Sequence, residues 1–96
     1  IPKEVAVKIV REAIAGTLES NDVFVRVSPA DKGLNIQVQS IVLGQFGAQI
    51  EQAARQTAQM LGVQNAVLSL DDRGAIDCTI RARVETALLR GAEVQV

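Results

Sequence analysis

Apolar and polar residues alternate strictly in two short segments of the first half of the chain. Every second position from Val23 to Val27 is valine, and residues 34–39 alternate Leu, Ile and Val with Asn and Gln. Because successive side chains of a strand point to opposite faces, each segment predicts a half-buried β-strand. The segment S-P-A-D-K-G at 28–33 is typical of a turn, so we predict that the two strands form a β-hairpin. Residues 9–18 fit either a further strand or a short helix.

A helical period replaces the alternation from about Gln45 to Leu61. Its predicted buried side consists of Phe46, Ile50, Ala53, Ala54, Thr57 and Leu61. Another side carries a stripe of glutamines, namely Gln45, Gln49, Gln52, Gln56 and Gln59. We interpret this stripe as a solvated helix face, with packing against a partner subunit as the alternative. Gly62 follows directly and is a natural stop for the helix.

The last third of the chain predicts a strand at 63–70, a turn at 71–74 and a second helix from about Asp77 to Leu89. The apolar ridge of this helix consists of Ile76, Ile80, Val84 and Leu88. Asp77 stands where a carboxylate complements the helix dipole or caps a free amide. The predicted order is β-β-α-β-α, with room for one extra N-terminal element. Because each helix has one apolar face, we expect an α+β fold, a small two-layer sandwich with both helices on one face of a mainly antiparallel sheet.

Size and charge place this fold among ordinary globular proteins. The chain has 96 residues, which predicts one domain over residues 1–96, and its formal net charge is −1. So balanced a charge argues against nucleic-acid binding, which needs a basic face. No apolar run is long enough to span a membrane, and the N-terminus lacks the pattern of a signal peptide. A single cysteine, Cys78, fits a reducing compartment, and we expect the protein to act in the cytoplasm.

The residue types also limit the chemistry of the chain. It has no histidine and one cysteine, which excludes a Cys/His zinc site within one chain. Asp71, Asp72 and Asp77 are the candidates for a Mg²⁺ or Ca²⁺ site, but their spacing differs from that of a calcium loop and an arginine lies among them. We therefore favour turn and cap roles for these aspartates and predict no metal site.

Two features of the second helix have both a structural and a functional interpretation. Cys78 lies near the predicted helix start, where a reactive thiol is one interpretation. We favour a small, partly buried residue instead. Arg81 and Arg83 point in different directions, and Arg81 is spaced for an i,i+4 ion pair with Asp77. We interpret the arginines as a solvated face, with partner docking as the alternative.

The segment G-T-L-E-S-N-D at 16–22 places Ser20 at the tip of a predicted turn. The residues alone favour an ordinary turn serine, because E-S-N-D contains the types that turns prefer. The functional alternative rests on the missing histidine, since a serine without a base is better suited to being modified than to attacking. A modified serine must be exposed and rigidly supported, as at a hairpin tip. Glu19 and Asp22 flank Ser20 and are candidates for orienting its hydroxyl or contacting a modifying enzyme.

Three separated motifs resemble those of the acyl carrier protein of citrate lyase, the small gamma subunit of that complex. They are G-T-L-E-S-N-D at 16–22, Q-F-G at 45–47 and D-R-G-A-I-D-C-T-I-R-A-R-V-E at 72–85. The resemblance extends from about Val7 onward, in order and at matching spacing. Residues 1–6 precede the usual start of the family, and we expect them to be an extension or added residues.

The resemblance implies a covalent carrier rather than a catalyst. In that family the serine matching Ser20 carries a 2'-(5''-phosphoribosyl)-3'-dephospho-CoA group through a phosphodiester, which makes the carrier a phosphoprotein. The distal thiol of the group holds acetyl and citryl thioesters. An acyltransferase (alpha) subunit exchanges acetyl for citrate and releases acetate, and a lyase (beta) subunit releases oxaloacetate. The third implied partner is a prosthetic-group transferase, whereas no nucleic acid or membrane is implied.

The resemblance leaves alternatives for both fold and function. Ordinary acyl carrier proteins present a D-S-L motif at a helix start in an acidic helical bundle, so the word carrier does not imply that fold. The carrier of malonate decarboxylase uses a similar group but lacks the D-C-x-x-x-A-R-x-E run present here at 77–85. The carrier of citramalate lyase is too similar to separate. A non-covalent α+β interaction module, with Ser20 as a turn residue, is the alternative from another class.

Overall fold

The computed structural model describes residues 7–41 and 43–93 of the chain. Its elements are β1 (Lys8–Ile9), β2 (Ala13–Gly16), β3 (Val23–Ser28), β4 (Leu34–Ser40), α1 (Leu43–Met60), β5 (Ala66–Asp72), α2 (Asp77–Gly91) and β6 (Ala92–Glu93). Both predicted helices form, and the ambiguous segment 9–18 contains a strand rather than a helix. The predicted extension at 1–6 lies outside the described residues, and so do the side chains of Gln45 and Phe46.

Four strands form the main sheet in the order β2-β3-β5-β4. β3 is antiparallel to both β2 and β5, whereas β4 and β5 are parallel. Parallel neighbours need a crossover connection, and α1 provides it. β1 pairs with β6 in a separate two-stranded sheet. The predicted α+β class with a mainly antiparallel sheet is confirmed.

The predicted hairpin between β3 and β4 is wrong, because β5 lies between these two strands. Leu68 and Leu70 of β5 are among the largest fully buried side chains of the protein. A central position pairs both edges of this apolar strand, whereas a β3–β4 hairpin would leave β5 at the sheet edge. The predicted turn at 28–33 therefore bridges over the start of β5, where the Ala66 N–H donates to the Gly33 carbonyl at 3.1 Å.

Both helices pack on one face of the main sheet, as predicted, and the core lies between the two layers. The buried apolar residues of the main sheet and the two helices are Ala15, Val23, Val25, Val27, Ala66, Leu68, Leu70, Ile50, Ala53, Ala54, Ala58, Ile80, Val84, Ala87 and Leu88. The predicted ridges of both helices are confirmed where the structure describes them, with one exception. Ile76 is 67% exposed because it precedes α2 instead of lying within it.

The ends of two elements differ from their predicted positions. The strand predicted at 63–70 runs from Ala66 to Asp72, so Asp71 and Asp72 belong to β5 and the turn begins at Arg73. Neighbouring strands pair with these two residues on both sides, which extends the strand. α1 ends before Gly62, whose φ of 80° suits the predicted helix stop. In the part of the chain that the structure describes, no helix combines the length and apolar character needed to cross a membrane.

Candidate functional site

Ser20 lies in the loop between β2 and β3, at residues 17–22. These strands pair antiparallel as far as Gly16 opposite Phe24, so the loop is the tip of a β-hairpin. Ser20 and the preceding Glu19 are both exposed to solvent. The predicted turn is confirmed, and the serine is displayed at its tip.

A largely buried carboxylate holds the two ends of this loop together. The side chain of Asp22 is 13% exposed. Thr17 Oγ1 donates to Asp22 Oδ2 at 2.7 Å, and the Val23 N–H donates to Oδ1 at 2.7 Å. From α2, Arg83 donates through Nε to Oδ1 and through Nη2 to Oδ2, both at 3.0 Å. The Ser20 loop is thereby closed on itself and attached to the helix layer.

The pKa of the Asp22 carboxyl is lowered from 3.8 to about 2, first because Arg83 donates hydrogen bonds to it. Burial acts in the opposite direction, while the bonds from Thr17 and the Val23 N–H lower the pKa further. Asp22 is therefore ionised at neutral pH. Each of its oxygens accepts two hydrogen bonds, which gives Asp22 a role in positioning the loop. Orientation of the Ser20 hydroxyl by Asp22 or Glu19 stays a prediction.

Two residues with positive φ set the path of the loop. Gly16 has a φ of 88°, and a Cβ there would lie 1.8 Å from the Val23 carbonyl oxygen, so only glycine fits. Asn21 has a φ of 66°, which asparagine tolerates better than most residues. The Asp22 N–H donates to the Glu19 carbonyl at 3.2 Å and closes a four-residue turn with Ser20 at its second position.

The loop is also joined to the chain that follows β5. The Asn21 N–H donates to the Arg73 carbonyl, and the Arg73 N–H donates to the Asp22 carbonyl, both at 2.8 Å. β3 and β5 pair up to Val23 opposite Asp72, so these bonds extend the ladder beyond the strands. The backbone directly after Ser20 is therefore held by the sheet, while the serine itself faces solvent.

Comparison with known proteins gives the family of the chain. An acyl carrier protein (ACP) model described as the malonate decarboxylase delta subunit matches residues 10–91. The chain is 51% identical over 87 residues to the citrate lyase acyl carrier protein 2 of Salmonella paratyphi A, which covers 90% of both chains. The chain belongs to this acyl carrier protein family. It is also 52% identical over 83 residues to the citrate lyase acyl carrier protein of Klebsiella pneumoniae, over 85% of this chain and 86% of that relative.

A solved structure has the same fold as this acyl carrier protein. A chain in the crystal structure of a Pseudomonas malonate decarboxylase hetero-tetramer in complex with malonate superposes with a TM-score of 0.75 and 24% identity. The match covers 88% of this chain and 89% of that chain. At this identity the similarity concerns the fold alone, and it agrees with the expectation that this carrier is not a helical bundle of the D-S-L type.

Asp72 of the carrier has the turn role predicted for it, although it lies in β5. It is 1% exposed and accepts hydrogen bonds from Ser40 Oγ at 2.8 Å and from the N–H groups of Gly74 and Ala75 at 3.1 and 3.0 Å. These bonds fix the turn between β5 and α2. Across residues 7–41 and 43–93, no three His, Cys, Asp or Glu side chains are grouped so as to hold a metal ion.

The other two acidic candidates lie in separate ion pairs. Asp71 accepts from Arg73 Nε at 3.1 Å, and Asp77 accepts from Arg81 Nε at 2.6 Å, which confirms the predicted i,i+4 pair. Asp77 is the first residue of α2, where its charge complements the helix dipole, but it makes no capping hydrogen bond.

The glutamines of the stripe from Gln49 to Gln59 are solvated except where they meet α2. Gln49, Gln52 and Gln59 are exposed, in agreement with the solvated-face interpretation. Gln56 is half-buried, and its Oε1 accepts a hydrogen bond from Arg81 Nη2 at 2.8 Å. This contact joins the two helices on the side of α2 that faces away from Arg83.

Two interpretations of α2 are wrong. Cys78 is exposed rather than partly buried, because the first turn of α2 projects beyond the core and Ile80 is its first buried residue. Arg83 is not simply a solvated residue, since it pairs with Asp22, 61 positions earlier. One signal was available in the sequence: Arg83 follows Ile80 by three positions and precedes Val84, so the helical period places it beside the buried ridge.

Proposed function

We propose that this protein is the acyl carrier subunit of a citrate lyase and that Ser20 is its covalent attachment site. The observation that carries the proposal is an exposed serine on a hairpin tip whose backbone is held from both sides. A modifying enzyme must reach the hydroxyl, and the attached group must afterwards start from a fixed point. The identity of about half of the residues to citrate lyase acyl carrier proteins supports the same assignment.

The proposed group is 2'-(5''-phosphoribosyl)-3'-dephospho-CoA, joined to Ser20 through a phosphodiester. The loop fits a bulky anionic group in two ways. Ser20 is exposed, so a substituent on its hydroxyl displaces no core residue. The nearby Asp22 carboxylate, which would repel a phosphate, is 13% exposed and paired with Arg83. Glu19, which is exposed, is the residue that we propose contacts the prosthetic-group transferase.

The chain's own residues bind and position the group in this proposal, and they do not perform catalysis. The chain has no histidine and the Asp22 carboxylate already accepts four hydrogen bonds, so the base that takes the Ser20 proton comes from the transferase. When bound, the group supplies the thiol that holds acetyl and citryl thioesters during cleavage of citrate to oxaloacetate and acetate. The acyltransferase and lyase subunits are the proposed catalytic partners, in the cytoplasm.

A second candidate is the carrier subunit of malonate decarboxylase. It is favoured by the description of the matching family model and by the fold of the Pseudomonas chain. The sequence identities favour citrate lyase, because they are 51% to a citrate lyase carrier and 24% to the malonate decarboxylase chain. Citramalate lyase shares the acyl chemistry of citrate lyase, so a substrate assay must separate these two.

Reconstitution with partner subunits tests the proposed function. We expect the loaded protein to support oxaloacetate formation from citrate with the acyltransferase and lyase subunits, and Ser20→Ala to abolish it. Ser28→Ala, which changes a serine at the far end of β3, is the matched control and should keep wild-type activity. Full activity of Ser20→Ala would favour a non-covalent interaction module. Activity only with malonate decarboxylase subunits and malonate would favour the second candidate.

A further inference from the structure

The open face of the main sheet, opposite the helices, carries a groove beside the Ser20 loop. Its volume is about 300 Å³. It is lined by Leu18, Phe24, Arg26, Gln39, Ser69 and Asp71. Leu18 belongs to the loop and precedes Ser20 by two residues, so the groove begins two residues from the proposed attachment site. The volume is at the small end of the range for ligand sites and suits a single nucleotide rather than a long arm.

We propose that this open-face groove binds the nucleotide segment of the group attached to Ser20. The inference rests on the proposed function and adds to it the position of the first part of the arm. The nucleotide segment combines a purine ring, ribose hydroxyls and phosphates. The groove offers an aromatic ring, a cation and several hydrogen-bonding groups, one kind of partner for each of these parts.

Phe24 and Arg26 supply the stacking surface and the positive charge. They lie on the same face of β3, with the Arg26 guanidinium carbon 5.9 Å from the centroid of the Phe24 ring. Phe24 is half-buried and Arg26 is exposed, and neither belongs to the core on the other face. Purines stack on aromatic rings and on guanidinium planes, and a guanidinium also binds phosphate oxygens in pairs. The pair therefore provides both interactions that a nucleotide needs.

The neighbouring strands supply the hydrogen-bonding rim. In the sheet register, Asp71 lies between Phe24 on one side and Gln39 on the other, and Ser69 is two residues from Asp71 along β5. Hydroxyl, amide and carboxylate groups of this kind suit ribose hydroxyls and purine edges. Asp71 accepts a hydrogen bond from Arg73 at 3.1 Å, which offsets its negative charge near a phosphate.

A larger cavity on the helix side of the sheet is less suited to the same segment. Its volume is about 410 Å³, and Ile50, Ile76 and Ile80 contribute to its apolar wall. The described residues that line it include the carboxylates Asp72 and Asp77 and no cation. Asp77 is paired with Arg81 and Asp72 accepts three hydrogen bonds, so neither charge is bare. Charge still favours the open-face groove, because Arg26 lines that groove, whereas the described lining of the helix-side cavity contains no cation.

Binding in the open-face groove would fix the proximal half of the arm and leave the thiol-bearing half to move. The mobile part of the arm would then start from the open face of the sheet instead of from the serine oxygen. A shorter mobile segment loses less conformational entropy when a partner subunit binds its end.

Nuclear magnetic resonance of the unloaded and loaded protein tests the inference. The loaded protein is made by co-expression with the attachment enzymes, and intact mass verifies loading. We expect nuclear Overhauser contacts from the adenine protons to the Phe24 ring and the Leu18 methyl groups, together with shifted Gln39 and Ser69 amide signals. Contacts to Ile76 or Ile80 instead, or narrow adenine lines without protein contacts, would overturn the inference while leaving the carrier function intact.

Variants on the open face give a second test on the same loaded protein. Phe24→Leu and Arg26→Gln should load normally but lose the adenine contacts to Leu18. Asn35→Ala, at the other end of the same sheet face, is the matched control and should keep them. Retention of the contacts in both groove variants would contradict the inference. A wild-type protein that does not load in the presence of active attachment enzymes would instead contradict the proposed function, and the inference with it.

Discussion

Replacing Arg83 with methionine should destabilise the Ser20 hairpin and remove its attachment to α2. Arg83 donates two hydrogen bonds of 3.0 Å to the Asp22 carboxylate. Hydrogen bonds to charged groups contribute about 1.5–3 kcal/mol. Asp22 keeps its bonds from Thr17 and Val23, and the Arg83 side chain is 42% exposed, so water screens the pair. We therefore expect a loss of about 1–2 kcal/mol in the free energy of unfolding at neutral pH.

The lowered pKa of Asp22 also predicts how the stability of the protein changes with pH. The pKa of Asp22 is about 2 in the folded protein, below the ordinary 3.8, so the folded state favours the ionised carboxylate. The resulting stabilisation is complete above the ordinary pKa and is lost as the pH falls toward the folded value. In Arg83→Met the pKa of Asp22 should return toward its ordinary value. The part of the stability that the protein loses on acidification because Asp22 becomes protonated should then be smaller.

Urea unfolding between pH 2 and 7 measures the free energy of unfolding at each pH. Nuclear magnetic resonance of the Asp22 carboxyl carbon over the same range measures its pKa. Arg55→Met is the matched control, because it removes one surface i,i+4 ion pair, with a partner Glu51 that is 47% exposed, and this pair should contribute only about 0.5 kcal/mol. If Arg83→Met left both the Asp22 titration and the pH profile of stability as in the wild type, the assigned role of the pair would be refuted.

Three further predictions concern the loop, the core and α2. Gly16→Ala should lower the free energy of unfolding by at least about 2 kcal/mol, because the residue has positive φ and its Cβ would meet the Val23 carbonyl. Gly33→Ala, at a similar φ in open space, should lower it by about 1 kcal/mol. Equal losses in urea unfolding would contradict the close approach at Gly16. Leu70→Ala, at a fully buried position of β5, should lower the free energy of unfolding by about 2–5 kcal/mol. Leu89→Ala, at a residue 45% exposed, should lower it by about 0.5 kcal/mol. Thermal unfolding that ranks the two variants in the opposite order would contradict the placement of β5 in the core. Cys78 should react with a thiol reagent in the folded protein as fast as in denaturant, and Cys78→Ser should change the free energy of unfolding by less than about 0.5 kcal/mol; protection from the reagent in the folded state would contradict its exposure.

Periodicity predicted the individual elements because burial imposes it locally. The alternating valines of β3 and the helical spacing of Ile50, Ala53 and Ala54 follow directly from facing one core. The order of the strands does not follow from periodicity, since β4 has the same alternation whether it pairs with β3 or with β5. The crossover through α1 decides the order by bringing β5 parallel to β4.

The candidate site was predictable only in its local part. E-S-N-D identified the turn, and the missing histidine argued against a nucleophilic serine. The pairing of Asp22 with Arg83 joins residues 61 positions apart, so the helical spacing that places Arg83 beside the buried ridge does not identify its partner. The exposure of Cys78 depends on how far α2 projects beyond the sheet, which is a property of the packed layers and not of the helix sequence.

Intact mass with peptide mapping after co-expression with the attachment enzymes tests the central claim most directly. For the wild type and for Ser28→Ala, we predict one adduct per chain, with the mass of the phosphoribosyl-dephospho-CoA group and mapped to Ser20. For Ser20→Ala we predict an unmodified chain. An adduct on another residue, or an unmodified wild-type chain beside a carrier that the same enzymes do load, would contradict the assignment of Ser20 as the attachment site.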